Sequence, residues 1–128
     1  MLTHPELTQR TGQVVDAAML VHSRLGPGLL ESAYDACLAY ELRSRGLSVL
    51  QQVPMPLQYG GVRLEVAYHA DEVVDDAILI EIKAVAKPAP VHAAQLLSYL
   101  HVSGLPVGFL IIFHEPHLRD GLKRFTHG

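Results

Sequence analysis

The chain has 128 residues, 49% hydrophobic and 18% charged, which suits one compact domain and excludes a disordered one. With 10 Lys and Arg against 13 Asp and Glu the net charge is −3. It therefore lacks the broad basic footprint of a non-specific nucleic-acid binder and leaves room only for a local basic groove or a metal-bridged contact. No apolar run approaches the roughly 20 residues of a membrane span, "MLTHPELTQR" carries no secretion signal, and the lone Cys37 cannot form an internal disulfide, so a reduced, cytoplasmic protein is predicted.

In chain order, the first predicted helix covers residues 6 to 24, with a stripe of Leu7, Val14, Val15, Ala18, Met19 and Leu25. Thr3 and Glu6 have capping-box spacing, and Pro5 fits a first helical turn. "GPG" at 26–28 ends this helix, and a second runs from about Leu29 to Arg45, stopping at Gly46. Strands follow. "LSVLQQV" is one, interrupted by Pro54 and Pro56, and "MPLQY" reads as an edge strand before the turn at Gly60-Gly61. Val62, Leu64, Val66 and Tyr68 alternate along the next strand, which continues to "DEVV" at 71–74. Asp75 and Asp76 mark a turn into "AILIEIKA" at 77–84. "KPAP" at 87–90 breaks the chain before a third helix, 91 to 103, ended by Gly104. "VGFLIIF" at 107–113 is a buried strand and "LKRFT" at 122–126 a further one. The order gives an α/β sandwich around a mixed sheet.

The chemistry is suggested by "EIK". Glu81 and Lys83 interrupt an apolar run and, two residues apart, point to one side of the strand. Buried charges need a partner or a metal. If the loop before this strand spans 75–77, Asp71 lies across from Glu81, and Asp71, Glu81 and Lys83 share a face opposite Ile78, Ile80 and Ile82. A two-residue loop at Asp75-Asp76 would pair Asp71 with Ile80 and turn it to the other face. In the first register two carboxylates stand together, which requires a proton or a cation between them. Such oxygen donors suit Mg²⁺ or Mn²⁺, with the lysine available to orient hydroxide and stabilise phosphate charge. The plainer alternative is a solvated hairpin with a Glu-Lys pair on its wet face.

Glu31 lies on the helical wheel with Tyr34, Leu38 and Leu42, which predicts an inward carboxylate; the alternative is a first-turn glutamate complementing the helix dipole. Cys37 reads as a small core residue. On the third helix Ala93, Leu97 and Leu100 form a core stripe, while His92, Gln95, Tyr99 and Ser103 form a polar one, facing either solvent or a ligand. A zinc site using His92, His114 or His117 is a weaker idea, since Pro116 disfavours a helix through "HEPH".

These blocks carry a family resemblance. "GLLESAY" at 28–34 resembles the G-x-x-E-x-x-Y signature of the GxxExxY family, and "EVAYHADEVV", "ILIEIKA" and "PVHAAQLLSYL" resemble its later blocks in the same order. That family is grouped with the PD-(D/E)xK nuclease-like superfamily. The resemblance implies a single domain over 1–128 with a restriction-endonuclease-like α/β core, a mixed β-sheet flanked by α-helices. It further implies a divalent-metal-dependent nuclease, with a non-catalytic binding or assembly module as the alternative. Asp71 and Glu81 would hold Mg²⁺ or Mn²⁺, with Glu31 beside them as the helix-borne acid and Lys83 as the catalytic lysine. Gln95 and Tyr99 match a Q-x-x-x-Y element that orients substrate, Gly28 serves geometry and Tyr34 packing. Three positions depart from the pattern: Ala70 stands for proline, Glu72 for an apolar residue and Ile112 for asparagine. The implied partner is nucleic acid, DNA or RNA. The apolar fraction also allows a homodimer, although no stripe marks an interface.

Overall fold

The computed structural model describes residues 1–85 and 89–127; of the predicted break at 87–90, residues 87 and 88 therefore lie outside the described residues. Helix α1 (His4–Leu25) opens with the Thr3–Glu6 capping box and ends at Gly26, and helix α2 spans Glu31–Ser44. Strands β1 (Val49–Tyr59), β2 (Val62–Val74) and β3 (Ile78–Lys83) precede helix α3 (Pro90–Ser103). Strand β4 (Val107–Ile112), a 3₁₀ turn at Leu118–Asp120 and β5 (Leu122–Thr126) complete the chain. The five strands form one sheet in the order β1-β2-β3-β4-β5. β3 and β4 run parallel, joined through α3, and the other pairs are antiparallel. This is the mixed sheet with flanking helices of a restriction-endonuclease-like α/β fold.

Period-2 alternation assigns the two faces. Ile78, Ile80 and Ile82 of β3, with Phe109 and Ile111 of β4, pack under Val14, Ala17, Ala18 and Val21 of α1 and Tyr34, Leu38 and Leu42 of α2. Leu79, Leu110 and Ile112 face the other way and pack under Leu96 and Leu100 of α3. β3 is thus covered on both faces, which is why it reads as a near-continuous apolar run. Cys37 is half-buried and packs against the larger core cluster.

Several sequence expectations shift. The α1 stripe moves by part of a turn: Ala17 and Val21 are buried, while Met19 and Leu25 turn outward. β1 is one strand of 11 residues rather than two. Among the described residues it pairs only with β2, so Pro54 and Pro56 sit on an edge strand, where a missing N–H is tolerated, and the irregularity is absorbed as a register shift between Met55 and Leu57. On α3 the core residues are Leu96 and Leu100. Leu97 is 48% exposed and Ala93 only half-buried. Tyr99 and Ser103, expected on a separate polar stripe, join the packed side and are half-buried.

Candidate metal centre at a fork in the sheet

Two local features position the site. The first is the turn between β2 and β3. Asp75 and Asp76 both adopt left-handed backbone, at φ 49° and 54°, a conformation Asp accepts more readily than most residues. Asp75 is pinned there by Ser48 N–H at 2.8 Å and Arg10 Nε at 2.7 Å. The loop therefore spans 75–77, and the ladder pairs Val74 with Ile78, Val73 with Leu79 and Glu72 with Ile80. That is the register that sets Asp71 opposite Glu81.

The second feature is the loop into α2. Gly28 has φ 114°, in the region that favours glycine. The buried ring of Tyr34 stacks on Phe113 with centroids 4.2 Å apart. Its hydroxyl donates to the Gly26 carbonyl and accepts from Leu29 N–H at 3.1 Å. Loop and helix are thereby locked together, and Glu31 begins α2 beside the end of β3. Its Oε1 accepts the Ala84 N–H at 3.2 Å. Glu31 is exposed rather than turned inward: Tyr34, Leu38 and Leu42 fill the core, and Glu31 stands at the rim of that stripe.

At Asp71 the sheet forks. The backbone pairing of β2 with β3 ends at Glu72 and Ile80, and the Ile82 N–H donates to Asp71 Oδ2 at 2.7 Å instead of to a neighbouring strand. Glu81 lies in this fork at 6% exposure, with Oε1 buried and without a hydrogen-bond partner among the described residues. Burial pushes its carboxyl up to about 8, and the adjacent Asp71 carboxylate pushes the same way. Lys83 is half-buried, and its charge opposes that rise. The solvated-hairpin alternative does not survive this burial.

Asp71 also lines a cleft of about 530 Å³ with Glu31, Ser32, Asp35, Gln52 and Ile82. Tyr99 stacks on Tyr68 with centroids 3.7 Å apart. The pKa of its hydroxyl is raised by burial first, then by Glu81 and Asp71. Gln95 is exposed, and its side chain makes no hydrogen bond among the described residues. The structure thus sets Asp71 beside Glu81, with Lys83 close enough to act on Glu81, places Glu31 with Asp71 in the adjoining cleft, and leaves Gln95 on the surface.

Asp35 and Gln52 on the α2 side join the site without having been expected there from the sequence, and Glu72, which the sequence marked as an added acid departing from the family pattern, joins them. Glu72 is fully buried, and among the described residues neither of its carboxylate oxygens has a partner and the buried Asp35 Oδ1 has no donor. Burial first, then Asp35, pushes Glu72 up to about 10. Gln52 has left-handed backbone at φ 51°, and its Nε2 reaches both Asp35 Oδ2 and Asp71 Oδ1 at 3.4 Å. The available signals were the i, i+4 spacing of Glu31 and Asp35, which sets both on one helical face, and an acid at 72 where the family it resembles carries an apolar residue.

The donors are hard carboxylate oxygens, the set suited to Mg²⁺ or Mn²⁺. Among the described residues no three His, Cys, Asp or Glu side chains gather in metal-coordinating geometry, the histidines included. The acids stand in pairs, so a cation here would complete its shell with water, as Mg²⁺ usually does. The donor set and the unpartnered Glu81 oxygen fit such an ion.

No curated protein and no solved structure matches the chain. A family model described as the PD-(D/E)XK nuclease superfamily matches residues 8–125, nearly the whole chain. With the sheet order and the acids at its fork already in view, that match places the chain in the PD-(D/E)XK nuclease superfamily.

Proposed function

We propose that the protein is a divalent-metal-dependent nuclease of the GxxExxY kind, hydrolysing phosphodiester bonds of nucleic acid. The observation that carries this reading is Glu81: a buried carboxylate with one oxygen unpartnered among the described residues, beside Asp71 and two residues from Lys83. Asp71 and Glu81 would hold Mg²⁺ or Mn²⁺, with Glu31 reaching the ion through water from the cleft rim. The bound ion would supply a Lewis acid for the phosphate and a lowered pKa for water.

The chain's own groups then have distinct tasks. The Ile82 N–H fixes one Asp71 oxygen, so that carboxylate is held ready rather than free to rotate. Lys83 stabilises charge on the phosphate and orients the attacking water. Tyr99 offers a hydroxyl toward the substrate backbone at the edge of the fork, and Gln95, one turn earlier on α3, extends that contact.

The test is cleavage of single- and double-stranded DNA and RNA with Mg²⁺ or Mn²⁺. Activity should require the ion, and Asp71→Asn, Glu81→Gln and Lys83→Ala should each reduce it at least 100-fold. Lys83→Ala should keep metal binding, because its role falls on water and phosphate. Metal binding without cleavage of any of these substrates would favour a non-catalytic binding module, a reading that the net charge of −3 supports. A folded protein that binds no metal would end the proposal.

A further inference from the structure

We propose that the β1-β2 hairpin is a docking arm whose apolar face packs on the same face of a second copy of this chain. The proposal is independent of the metal chemistry.

β1 and β2 outrun the rest of the sheet. β3 pairs with β2 from Glu72 to Val74, so among the described residues Val62 to Asp71 have β1 as their one neighbouring strand. A two-stranded ribbon of this kind is marginal in water unless one of its faces is covered. Leu57 pairs with Leu64 and Tyr59 with Val62, and side chains paired directly across a ladder share a face. Arg63 and Glu65 meet at 3.0 Å, which puts the intervening Leu64 and its alternates Val62 and Val66 on the other side of the ribbon. At its root this apolar face joins the core under α3: Val53, Met55 and Tyr68 pack against the cluster that contains Leu96 and Leu100, and Tyr68 stacks on Tyr99. Beyond Tyr68 the cover stops. Tyr59 is 78% exposed, and Val62, Leu64 and Val66 are each about half exposed.

Charge, edge chemistry and area together name the occupant. Arg63 and Glu65, the formal charges of residues 50–69, neutralise each other on the opposite face, so the apolar face offers nothing to a phosphate backbone. Pro54 and Pro56 remove donors from the edge strand β1 and guard it against strand addition, which leaves the face as the contact. The four exposed side chains present a patch on the order of 400 Å², the size of the largest and often functional patch on a monomer. A standard interface takes about 800 Å² from each partner, about 60% of it apolar, so this patch supplies most of one partner's apolar share. An uncharged apolar face is its own complement, and a two-fold axis brings like against like. In such a stack the Tyr59 ring at each tip would cover the half-buried Met55 and Tyr68 at the root of the other arm.

The experiment is sedimentation velocity of the full chain at micromolar concentration, in EDTA and without nucleic acid. Wild type should sediment as a dimer, twice the 14.0 kDa of one chain. Leu64→Glu should raise the dimer dissociation constant by roughly 100-fold or more, because a two-fold interface takes each replacement twice. Gln58→Glu adds the same charge beside Arg63 on the opposite face and should leave the dimer unchanged. Both positions are exposed, and circular dichroism checks that the variants fold. A monomeric wild type overturns the proposal, and so does a dimer that Leu64→Glu leaves intact or that Gln58→Glu breaks as readily. If wild type is a monomer and Leu64→Glu weakens its hold on single-stranded DNA or RNA, the face belongs to nucleic acid and the proposal falls.

Discussion

Replacing Glu72 by Gln should stabilise the metal-free protein at neutral pH and flatten the fall of its stability with pH. Glu72 is fully buried, and its carboxyl is raised from an ordinary 4.5 to about 10, by burial first and Asp35 next. Between those two values the unfolded chain carries an ionised Glu72 while the folded chain keeps the proton. Stability is therefore fully present below 4.5 and declines as pH rises toward 10, by about 1.4 kcal/mol per pH unit. From pH 5.5 to 7.5 the loss from this one group is about 2.7 kcal/mol, a large share of the ~5–15 kcal/mol that holds a typical domain folded. Glutamine has no proton to take up, and its amide supplies the donor that Asp35 Oδ1 lacks. Glu81, raised to about 8, adds a similar slope over the same interval in both proteins, and its contribution cancels in the difference. Urea unfolding in EDTA at several pH values gives the comparison. The gap between variant and wild type should widen by about 2.7 kcal/mol from pH 5.5 to 7.5. A gap that stays constant with pH would show that Glu72 is ionised in the folded protein, and the reasoning would fail.

Tyr34→Phe keeps the stack on Phe113 but strands the Gly26 carbonyl and the Leu29 N–H; chemical denaturation should show a loss of about 1–3 kcal/mol. Gly121→Ala would set a Cβ 2.3 Å from the Ile112 carbonyl oxygen, at a point where the Ile112 N–H already bonds to the Gly121 carbonyl. Thermal melts should fall by several degrees, and an unchanged midpoint would refute the tight approach. Leu96→Ala should cost about 2–5 kcal/mol and Leu97→Ala less than about 1 kcal/mol, because Leu96 is fully buried while Leu97 is 48% exposed. Equal losses would contradict the helix face assigned to α3.

The two halves of the site differ in how readable they are. Glu81 and Lys83 stand out because each interrupts a run of isoleucines, and strand periodicity alone then puts them on one side. The partner register needs one more fact, the loop length, which is set by two aspartates in left-handed backbone and by Asp75 bonds to Ser48 and Arg10. No local pattern announces those contacts, since Arg10 is far away in the chain. The α3 face is ambiguous in sequence because Leu96 and Leu97 are adjacent and equally apolar; packing of Leu96 and Leu100 against Gly108 decides between them. Gln52 is invisible for a related reason. A glutamine in a strand carries no mark that its backbone will turn left-handed and deliver its amide between two acids. Glu31 is placed by its sequence pattern at the correct end of α2 but with the wrong burial, because a helical wheel does not show where the neighbouring layer ends.

The most direct test of the central claim is the anomalous difference density of a crystal of the wild-type protein soaked in Mn²⁺ near neutral pH. A peak is expected in the fork, bonded to one oxygen of Asp71 and to Glu81 at about 2.0–2.6 Å, with waters filling the remaining positions. A well-ordered fork with no peak, or a peak whose shell includes neither Asp71 nor Glu81, would contradict it.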